Sequence, residues 1–373
     1  MAIQNSTSII QHFPRIFISP LDWGLGHAAR CVPIIRYLLE KKIEVVIGAE
    51  GSHLVFLKEH FPSVEYVEFP GYRISYSATL PVGVKVLLQL PQMVSAINNE
   101  HTLLNELIET KKIDAVISDN RYGLWNKKIP SVIITHQLNI QAPAGNSFLS
   151  KTAHKYINHF DECWIPDYAG EENLSGTLSH PIPKEINGKY IGPLSRFESS
   201  PLSNPKHLKY HLLVILSGPE PQRSKLEEII LNQLRELPSI KTLIIQGLPG
   251  KNVERSEIPQ NCGVEIVPHL TDREFEDAVN CSEVVLCRAG YSTLMDLNAI
   301  GWKKAIFIPT PGQTEQEYLG NLMEEKGLAI TFKQKGFSLK EALEKVKQLK
   351  PVQQQYGKDN YTGMIDEWLK KIN

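Results

Sequence analysis

The sequence RIFISPLDWGLGH, residues 15–27, decides the fold class. Its first five residues form a short apolar run typical of a buried strand, and the glycines at 24 and 26 allow a tight turn into a helix. Apolar residues then recur at helical spacing from Val32 to Leu39, and Ile43 to Ile47 predicts a second buried strand. A strand, a loop, a helix and a strand in this order predict a parallel α/β sheet.

The same alternation continues and divides the chain into two halves. It predicts helices at 52–60 and within 82–110, with strands at 64–68, 113–117 and 132–135. Between Gly192 and Leu208 proline, serine and asparagine interrupt the pattern, which restarts at Tyr210. We therefore predict two doubly wound Rossmann-like domains: an N-terminal domain over 1–195, a linker over 196–208, a C-terminal domain over 209–350, and a final segment over 351–373 that contains a helix.

Composition narrows the class of partner. The chain has 373 residues, with 40 Lys and Arg against 41 Asp and Glu, so its net charge of −1 does not indicate nucleic-acid binding. The five cysteines are odd in number and include no C-x-x-C pair, which predicts a reducing, cytoplasmic setting. No apolar run approaches about 18 residues, so neither a signal peptide nor a spanning helix is expected.

Two side chains at the carboxyl edge of the first sheet are candidates for proton transfer. His27 falls in the first turn of its helix, where the helix dipole favours the neutral imidazole that can accept a proton. Asp119 follows the strand at 113–117 and can orient this imidazole as a base dyad. The alternatives are that His27 only packs the turn and that Asp119 starts a turn with Asn120.

Acceptor contacts are expected from the same edge. Gly24 and Gly26 allow close backbone approach, and His136 and Gln137 follow the next strand, where they can bind a sugar hydroxyl. His136 and Gln137 can equally be ordinary loop residues.

Three loops of the second half suit a phosphorylated ligand. Ser217-Gly218-Pro219 stands between a strand and a helix, where backbone N–H groups can receive an anion. Arg288 to Thr293 adds a cation, a glycine turn and hydroxyl groups, and the segment from Pro309 to Gln316 supplies donors and acceptors for sugar hydroxyls. Asp296, one turn past Ser292, can bind ribose or be a solvated charge. No D-x-D triplet occurs, so no metal is expected on the diphosphate.

These loops resemble those of the GT-B glycosyltransferases, and most closely family 28, which includes the peptidoglycan N-acetylglucosaminyltransferases. The resemblance implies two domains facing a central cleft, an N-terminal acceptor domain, a C-terminal nucleotide-sugar domain and a last helix that crosses back to the first domain. It implies an inverting, metal-independent hexosyl transfer from a UDP-sugar, with no further cofactor. The implied donor contacts are Arg288, Gly290, Ser292 and Thr293 at the diphosphate, Asp296 at the ribose, and Gln313, Glu315 and Gln316 at the sugar, with Ser217 and Gly218 nearby.

The sequence departs from the family in two loops and leaves two rivals open. Asp22 and Trp23 replace glycines of the first loop, and Ser217 to Pro221 replaces the usual glycine-serine turn. The stretch from Gly24 to Cys31 is also similar to the nucleotide-sugar hydrolases of nonulosonic acid biosynthesis, which use water as acceptor. A non-catalytic nucleotide-sugar-binding subunit is the second rival.

An apolar segment from Phe69 to Met93 follows a strand of the proposed acceptor domain. If exposed, it suits a lipid-linked acceptor or reversible contact with the inner face of a membrane. The alternative is a buried helix with its lead-in loop, next to a glycan or small-molecule acceptor.

Overall fold

The computed structural model describes residues 13–72, 82–141, 146–197, 208–237, 240–250, 263–350 and 360–372, with the backbone alone at 82–90 and 146. Most of the predicted linker, 198–207, therefore lies outside the described residues. The predicted alternation of strands and helices is confirmed on both sides of it.

The first domain is a seven-stranded parallel sheet with helices between its strands. Its elements are β1 Arg15–Pro20, α1 Leu25–Glu40, β2 Glu44–Ala49, α2 Gly51–His60, β3 Glu65–Glu68, α3 Val82–Lys111, β4 Ala115–Asp119, β5 Ser131–Ile134, α4 Asn146–Ile157, β6 Glu162–Ile165 and β7 Gly188–Tyr190. The strand order is β3-β2-β1-β4-β5-β6-β7, and every neighbouring pair is parallel. The sequence patterns did not identify α4, β6 and β7, because β6 and β7 are too short to show a clear period.

The second domain repeats this arrangement with six parallel strands. Its elements are β8 Tyr210–Ile215, α5 Gln222–Leu234, β9 Thr242–Ile245, β10 Val264–Val267, α6 Asp272–Asn280, β11 Ser282–Cys287, α7 Tyr291–Ile300, β12 Lys304–Phe307, α8 Thr314–Glu325, β13 Ala329–Thr331 and α9 Leu339–Val346. The strand order is β10-β9-β8-β11-β12-β13. The two doubly wound domains that the sequence predicted are thus confirmed.

Both sheets reverse their strand order at the same relative place. In the first sheet β1 lies between β2 and β4, and in the second β8 lies between β9 and β11. Helices leave opposite faces of a sheet on either side of such a reversal, so a crevice opens beyond the carboxyl ends of the two central strands. The loops after β1, β4, β8 and β11 therefore line the natural ligand crevices.

The central strands of the first sheet are apolar because they lie in the core. Ile16, Phe17 and Ile18 of β1 and Val116 and Ile117 of β4 are fully buried, since helices cover both faces of the sheet. The polar Asp119, at the end of β4, is also fully buried.

The last helix, α10 Tyr361–Leu369, lies against the first domain. Trp368 packs edge-on against Trp164 of β6, with ring centroids 5.5 Å apart, and the Tyr37 hydroxyl of α1 donates to Asp366 at 2.8 Å. The helix α10 therefore packs on the domain that contains β1. None of the described helices is both long and apolar enough to cross a membrane.

Candidate active site

The loop after β1 places His27 at the crevice of the first sheet. Gly24 precedes α1 with φ of 88°, a left-handed conformation that glycine adopts without strain, and its carbonyl accepts a hydrogen bond from His53 at 2.9 Å. Because α1 begins at Leu25, His27 lies in its first turn, as predicted.

His27 and Asp119 are brought together as the sequence analysis expected. Pro20 and Asp119 are register partners at the ends of β1 and β4, and His27 Nδ1 lies 3.0 Å from Asp119 Oδ2. The Asp119 side chain is fully buried, whereas 15% of the His27 side chain is exposed. Asp119 is the last residue of β4, and the turn begins at Asn120, whose φ is 59°. A substrate in the crevice can therefore reach the imidazole but not the carboxylate.

Arg30 is a third member of this cluster that the sequence analysis missed. It lies one helical turn after His27, is 2% exposed, and its Nε donates to Asp119 Oδ1 at 2.6 Å. A second guanidinium nitrogen of Arg30 contacts the same carboxylate oxygen and lies 2.9 Å from His27 Nδ1. The three-residue spacing from His27 on a helix was the available signal.

Burial and neighbouring charges set the protonation states of His27 and Asp119. Burial and the neighbouring Arg30 lower the pKa of His27, and this outweighs the opposing effect of Asp119. Burial by itself raises the pKa of Asp119, but the charges of Arg30 and His27 and their hydrogen bonds outweigh it, so this pKa is lowered. The resting pair is therefore a neutral imidazole beside a carboxylate, which is the form that a general base requires.

Residues predicted for acceptor and donor meet across the cleft. His136 Nε2 donates to Glu315 Oε1 at 2.8 Å, and the Gln137 amide contacts the other oxygen of Glu315. The His136 ring also stacks on Tyr291 of α7, with centroids 4.1 Å apart. Burial raises the pKa of Glu315, but the His136 charge and hydrogen bond outweigh it, so this pKa is lowered. His136 and Gln137 are thus part of the domain interface rather than ordinary loop residues.

The two helices that begin at the crevices also touch. A Cβ added to Gly26 would lie 2.6 Å from Ser292 Oγ, closer than real Cβ contacts, so only glycine fits between α1 and α7 in this arrangement. Gly26 and Ser292 therefore mark a second point at which the predicted acceptor and donor loops meet.

Three helix N-termini of the second domain lack side-chain caps. They are those of α5, α7 and α8, which follow Pro221, Gly290 and Gln313. The first N–H groups of α7 and α8 carry partial positive charge and suit an anionic ligand. At α5 the Glu220 carboxylate already accepts from the Ser224 N–H at 3.3 Å. Thr293 lies in the first turn of α7, with its Oγ1 3.7 Å from the position of a Cβ at Gly290.

The loop after β8 is open. Ser217 is half-buried, and Gly218 is exposed with φ of 96°. The hydroxyl oxygen of Thr310, buried beside Gly218, has no hydrogen-bond partner within the described part of the chain. Thr310 is a polar group that the sequence analysis did not single out.

The side chain of Arg288 does not lie where the sequence analysis predicted. Its guanidinium is fully buried and donates to the carbonyls of Ile308 at 2.8 Å, Pro309 at 3.2 Å and Gln222 at 2.9 Å. Burial lowers its pKa to about 10. The side chain turns inward and joins three segments of its own domain, so it does not face the cleft as a diphosphate ligand.

Asp296 and Gln316 also have partners within the protein. Asp296 Oδ1 accepts from the Ser195 hydroxyl at 2.7 Å, and burial raises the pKa of this carboxyl to about 6. Gln316 Oε1 accepts from the Thr310 backbone N–H at 2.8 Å. Asp296 is therefore bonded to Ser195 rather than a fully solvated charge, and Gln316 shapes its own loop.

Two members of the apolar segment are core residues. Phe69 and Tyr72 are buried, and Tyr72 donates to the buried Glu100 at 2.9 Å. Residues 73–81 lie outside the described residues, so contact of the rest of the segment with a membrane stays a prediction. Among the described residues, no group of three or more His, Cys, Asp or Glu side chains is placed to hold a metal ion.

The fold is that of the GT-B glycosyltransferases. The chain is similar over its whole length to solved structures of this class: MurG of Acinetobacter baumannii, with a TM-score of 0.56, 14% identity and coverage of 96% of this chain and 100% of that one, and the calicheamicin glycosyltransferase CalG4, with a TM-score of 0.61, 13% identity and coverage of 97% and 99%. At such low sequence identity, the structural similarity shows the fold alone.

Sequence comparisons support the resemblance to family 28, and the family model matches the second half of the chain. Residues 214–365 match the glycosyltransferase family 28 C-terminal domain. An uncharacterized glycosyltransferase of Methanosarcina acetivorans is 25% identical over 343 residues, 84% of each chain. A UDP-N-acetylglucosamine–N-acetylmuramyl-(pentapeptide) pyrophosphoryl-undecaprenol N-acetylglucosamine transferase of Haemophilus ducreyi is 22% identical over 342 residues, 82% of this chain and 88% of that one. The chain is a glycosyltransferase with a family 28 C-terminal domain, which confirms the resemblance seen in its loops.

Proposed function

We propose that this glycosyltransferase is inverting and metal-independent, and that it moves a hexosyl group from a UDP-sugar to an acceptor hydroxyl. The observation that carries the proposal is the 3.0 Å contact between His27 and a fully buried Asp119 at the switch point of the first sheet. Such a pair supplies a base at the place where a Rossmann-like fold presents its ligand.

In the proposed reaction His27 acts through Nε2, because Nδ1 faces Asp119. Nε2 has no hydrogen-bond partner among the described residues, so it can accept the proton of an acceptor hydroxyl. The acceptor oxygen then forms a bond to the anomeric carbon while the bond from that carbon to the phosphate oxygen breaks. Asp119 stabilises the imidazolium that forms. A single displacement of this kind inverts the anomeric centre.

The second domain would hold the departing nucleoside diphosphate. We assign the diphosphate to the uncapped N-terminus of α7, with Gly290, Ser292 and Thr293, and to the open loop of Ser217 and Gly218. We assign the sugar to Gln313. The side chains of Arg288, Asp296, Glu315 and Gln316 are outside this set because they are bonded within the protein.

The acceptor would bind to the first domain, near Gly24 and Gly26. The relative from Haemophilus ducreyi is named for a lipid-linked acceptor, and this supports including lipid-linked sugars among the candidates. Glycans and small molecules are the other classes to test.

A panel assay tests the proposal. The purified chain is incubated with UDP-sugars, with and without lipid extract and EDTA, and the products are separated. We expect a transferred product with inverted configuration, formed also in EDTA, and a loss of about 10²- to 10⁴-fold in His27→Ala, since this is the usual contribution of a general base. Asp119→Asn should lose less in the same step.

Other outcomes point to the rivals. Release of free sugar without any acceptor product would identify a nucleotide-sugar hydrolase, and binding without turnover would identify a binding subunit. Full turnover in His27→Ala would exclude His27 as the base.

A further inference from the structure

Arg30 is the charged centre of the candidate active site. We propose that it is a positioning residue, which holds Asp119 ionised against His27 and keeps the imidazole neutral until the acceptor proton arrives. The inference rests on the proposed function, because it takes His27 to be the base.

The Arg30 guanidinium contacts three side chains of the site. Its Nε donates to Asp119 Oδ1 at 2.6 Å, one terminal nitrogen lies 2.9 Å from His27 Nδ1, and the other lies 3.3 Å from His136 Nδ1. With only 2% of its surface exposed, its charge is poorly screened by water. Arg30 thus links the dyad to His136, whose other nitrogen donates to Glu315 of the second domain.

Arg30 and Asp119 compete for the same atom of His27. A protonated Nδ1 donates to Asp119 and leaves Nε2 free to act as a base. An unprotonated Nδ1 accepts from Arg30, and Nε2 then carries the proton. In the doubly protonated imidazolium, the positive charge of His27 lies next to that of the Arg30 guanidinium, and this repulsion destabilises the imidazolium. Because Arg30 also bonds the other oxygen of Asp119, it keeps the carboxylate in place for the first of these forms.

The groups around His27 come from four elements. Arg30 belongs to α1, His53 to α2, Asp119 to β4 and Glu315 to α8. Burial lowers the pKa of His27 most, Arg30 and His53 lower it further, and Asp119 raises it; the charge of His27 in turn acts on Glu315. Of these groups Arg30 alone keeps a positive charge at every working pH. Its removal should therefore leave the carboxylates to favour the imidazolium.

The expected consequence is a pH shift rather than a loss of substrate affinity. In Arg30→Met the pKa of His27 should rise by about one unit. Turnover should then fall about tenfold at pH values below the new pKa and recover at higher pH, with the KM for the donor unchanged. Arg30→Lys keeps the charge but not the set of donors, so its His27 pKa should stay closer to the wild-type value than that of Arg30→Met.

The decisive measurement is an NMR titration of the full chain with ¹⁵N-labelled histidine. The His27 signals are assigned by their absence in His27→Gln, and their shifts report both the pKa and the tautomer. Arg36→Met is a matched control, because Arg36 lies on the same helix and donates to the Arg196 carbonyl, away from the dyad. If Arg30→Met does not fold, Arg30→Gln supplies a neutral side chain that can still donate to Asp119.

The outcomes of the titration distinguish the role of Arg30 from the proposed function. An unchanged His27 pKa in the folded neutral variants, or a shift of the same size in Arg36→Met, would overturn the role of Arg30 even if the wild type is active. If the wild type turns over no UDP-sugar while the pKa of His27 still rises in Arg30→Met, the proposed function fails and the electrostatic role of Arg30 stands.

Discussion

At the scale of single residues, Arg288 acts on its own domain rather than on a ligand. Its guanidinium satisfies three backbone carbonyls from the loops after β8 and β12, and it is fully buried. Buried carbonyls that lose their donor keep the full cost of their desolvation. The residue should therefore matter first for stability.

We expect Arg288→Met to lower the free energy of unfolding by about 2 kcal/mol, because buried carbonyls are left without a donor. The affinity of the folded protein for UDP should stay within about twofold, which is well below the effect of a lost charged contact. Urea denaturation and calorimetry with UDP measure the two quantities. Arg235→Met, at an exposed position, is the control. Wild-type stability combined with weakened UDP binding would return Arg288 to the diphosphate site.

At the scale of elements, the first turns of α1 and α7 meet at Gly26 and Ser292. The proposed base, His27, is on one of these helices, and the proposed diphosphate site is on the other. Their separation therefore sets the distance between the acceptor hydroxyl and the donor, and errors of about 1 Å in such a distance can cost about 10²-fold in rate.

We expect Gly26→Ala to lower turnover about ten- to a hundredfold, since its Cβ would lie 2.6 Å from Ser292 Oγ and 2.8 Å from Ser292 Cβ and would push the helices apart. Ser292→Gly removes both atoms. In that background Gly26→Ala should have little further effect, so the double variant should match Ser292→Gly alone. Turnover with the donor found in the panel measures this, and equal losses from Gly26→Ala in both backgrounds would rule out the steric explanation.

At the scale of the whole molecule, α10 ties the end of the chain to the first domain. Trp368 is 1% exposed and covers Trp164, which is fully buried. Lys371 contacts Glu162 of β6, and Lys41 pairs with Asp366 at 3.1 Å. The apolar contact should dominate, because exposed ion pairs contribute little.

We expect Trp368→Ala to destabilise the first domain by about 3–5 kcal/mol, the usual range for a buried aromatic side chain. Hydrogen exchange read by mass spectrometry should show faster exchange in peptides of β6 than in those of β8 and β11. Trp23→Ala, whose indole is 39% exposed, is the control for loss of a tryptophan. Faster exchange confined to the second sheet would contradict this placement of α10.

The sequence by itself determined the features that depend on residues close together in the chain. The periods of the apolar residues predicted most strands and helices, and glycines after strands marked the loops that line both crevices. The loop after β1 and the end of β4 also predicted the pairing of His27 with Asp119, because the carboxyl ends of adjacent parallel strands share an edge.

Only the tertiary structure decided where the long polar side chains point. Arg30 follows a glycine-containing loop and Arg288 lies within one. Arg30 nevertheless enters the candidate active site, whereas Arg288 turns into its own domain. Glu315, predicted at the donor sugar, meets His136 and Gln137 from the other domain. The direction of a flexible side chain depends on which distant carbonyls, carboxylates and rings surround it after folding. Local periodicity carries no information on those neighbours, and the packing of the two domains supplies it.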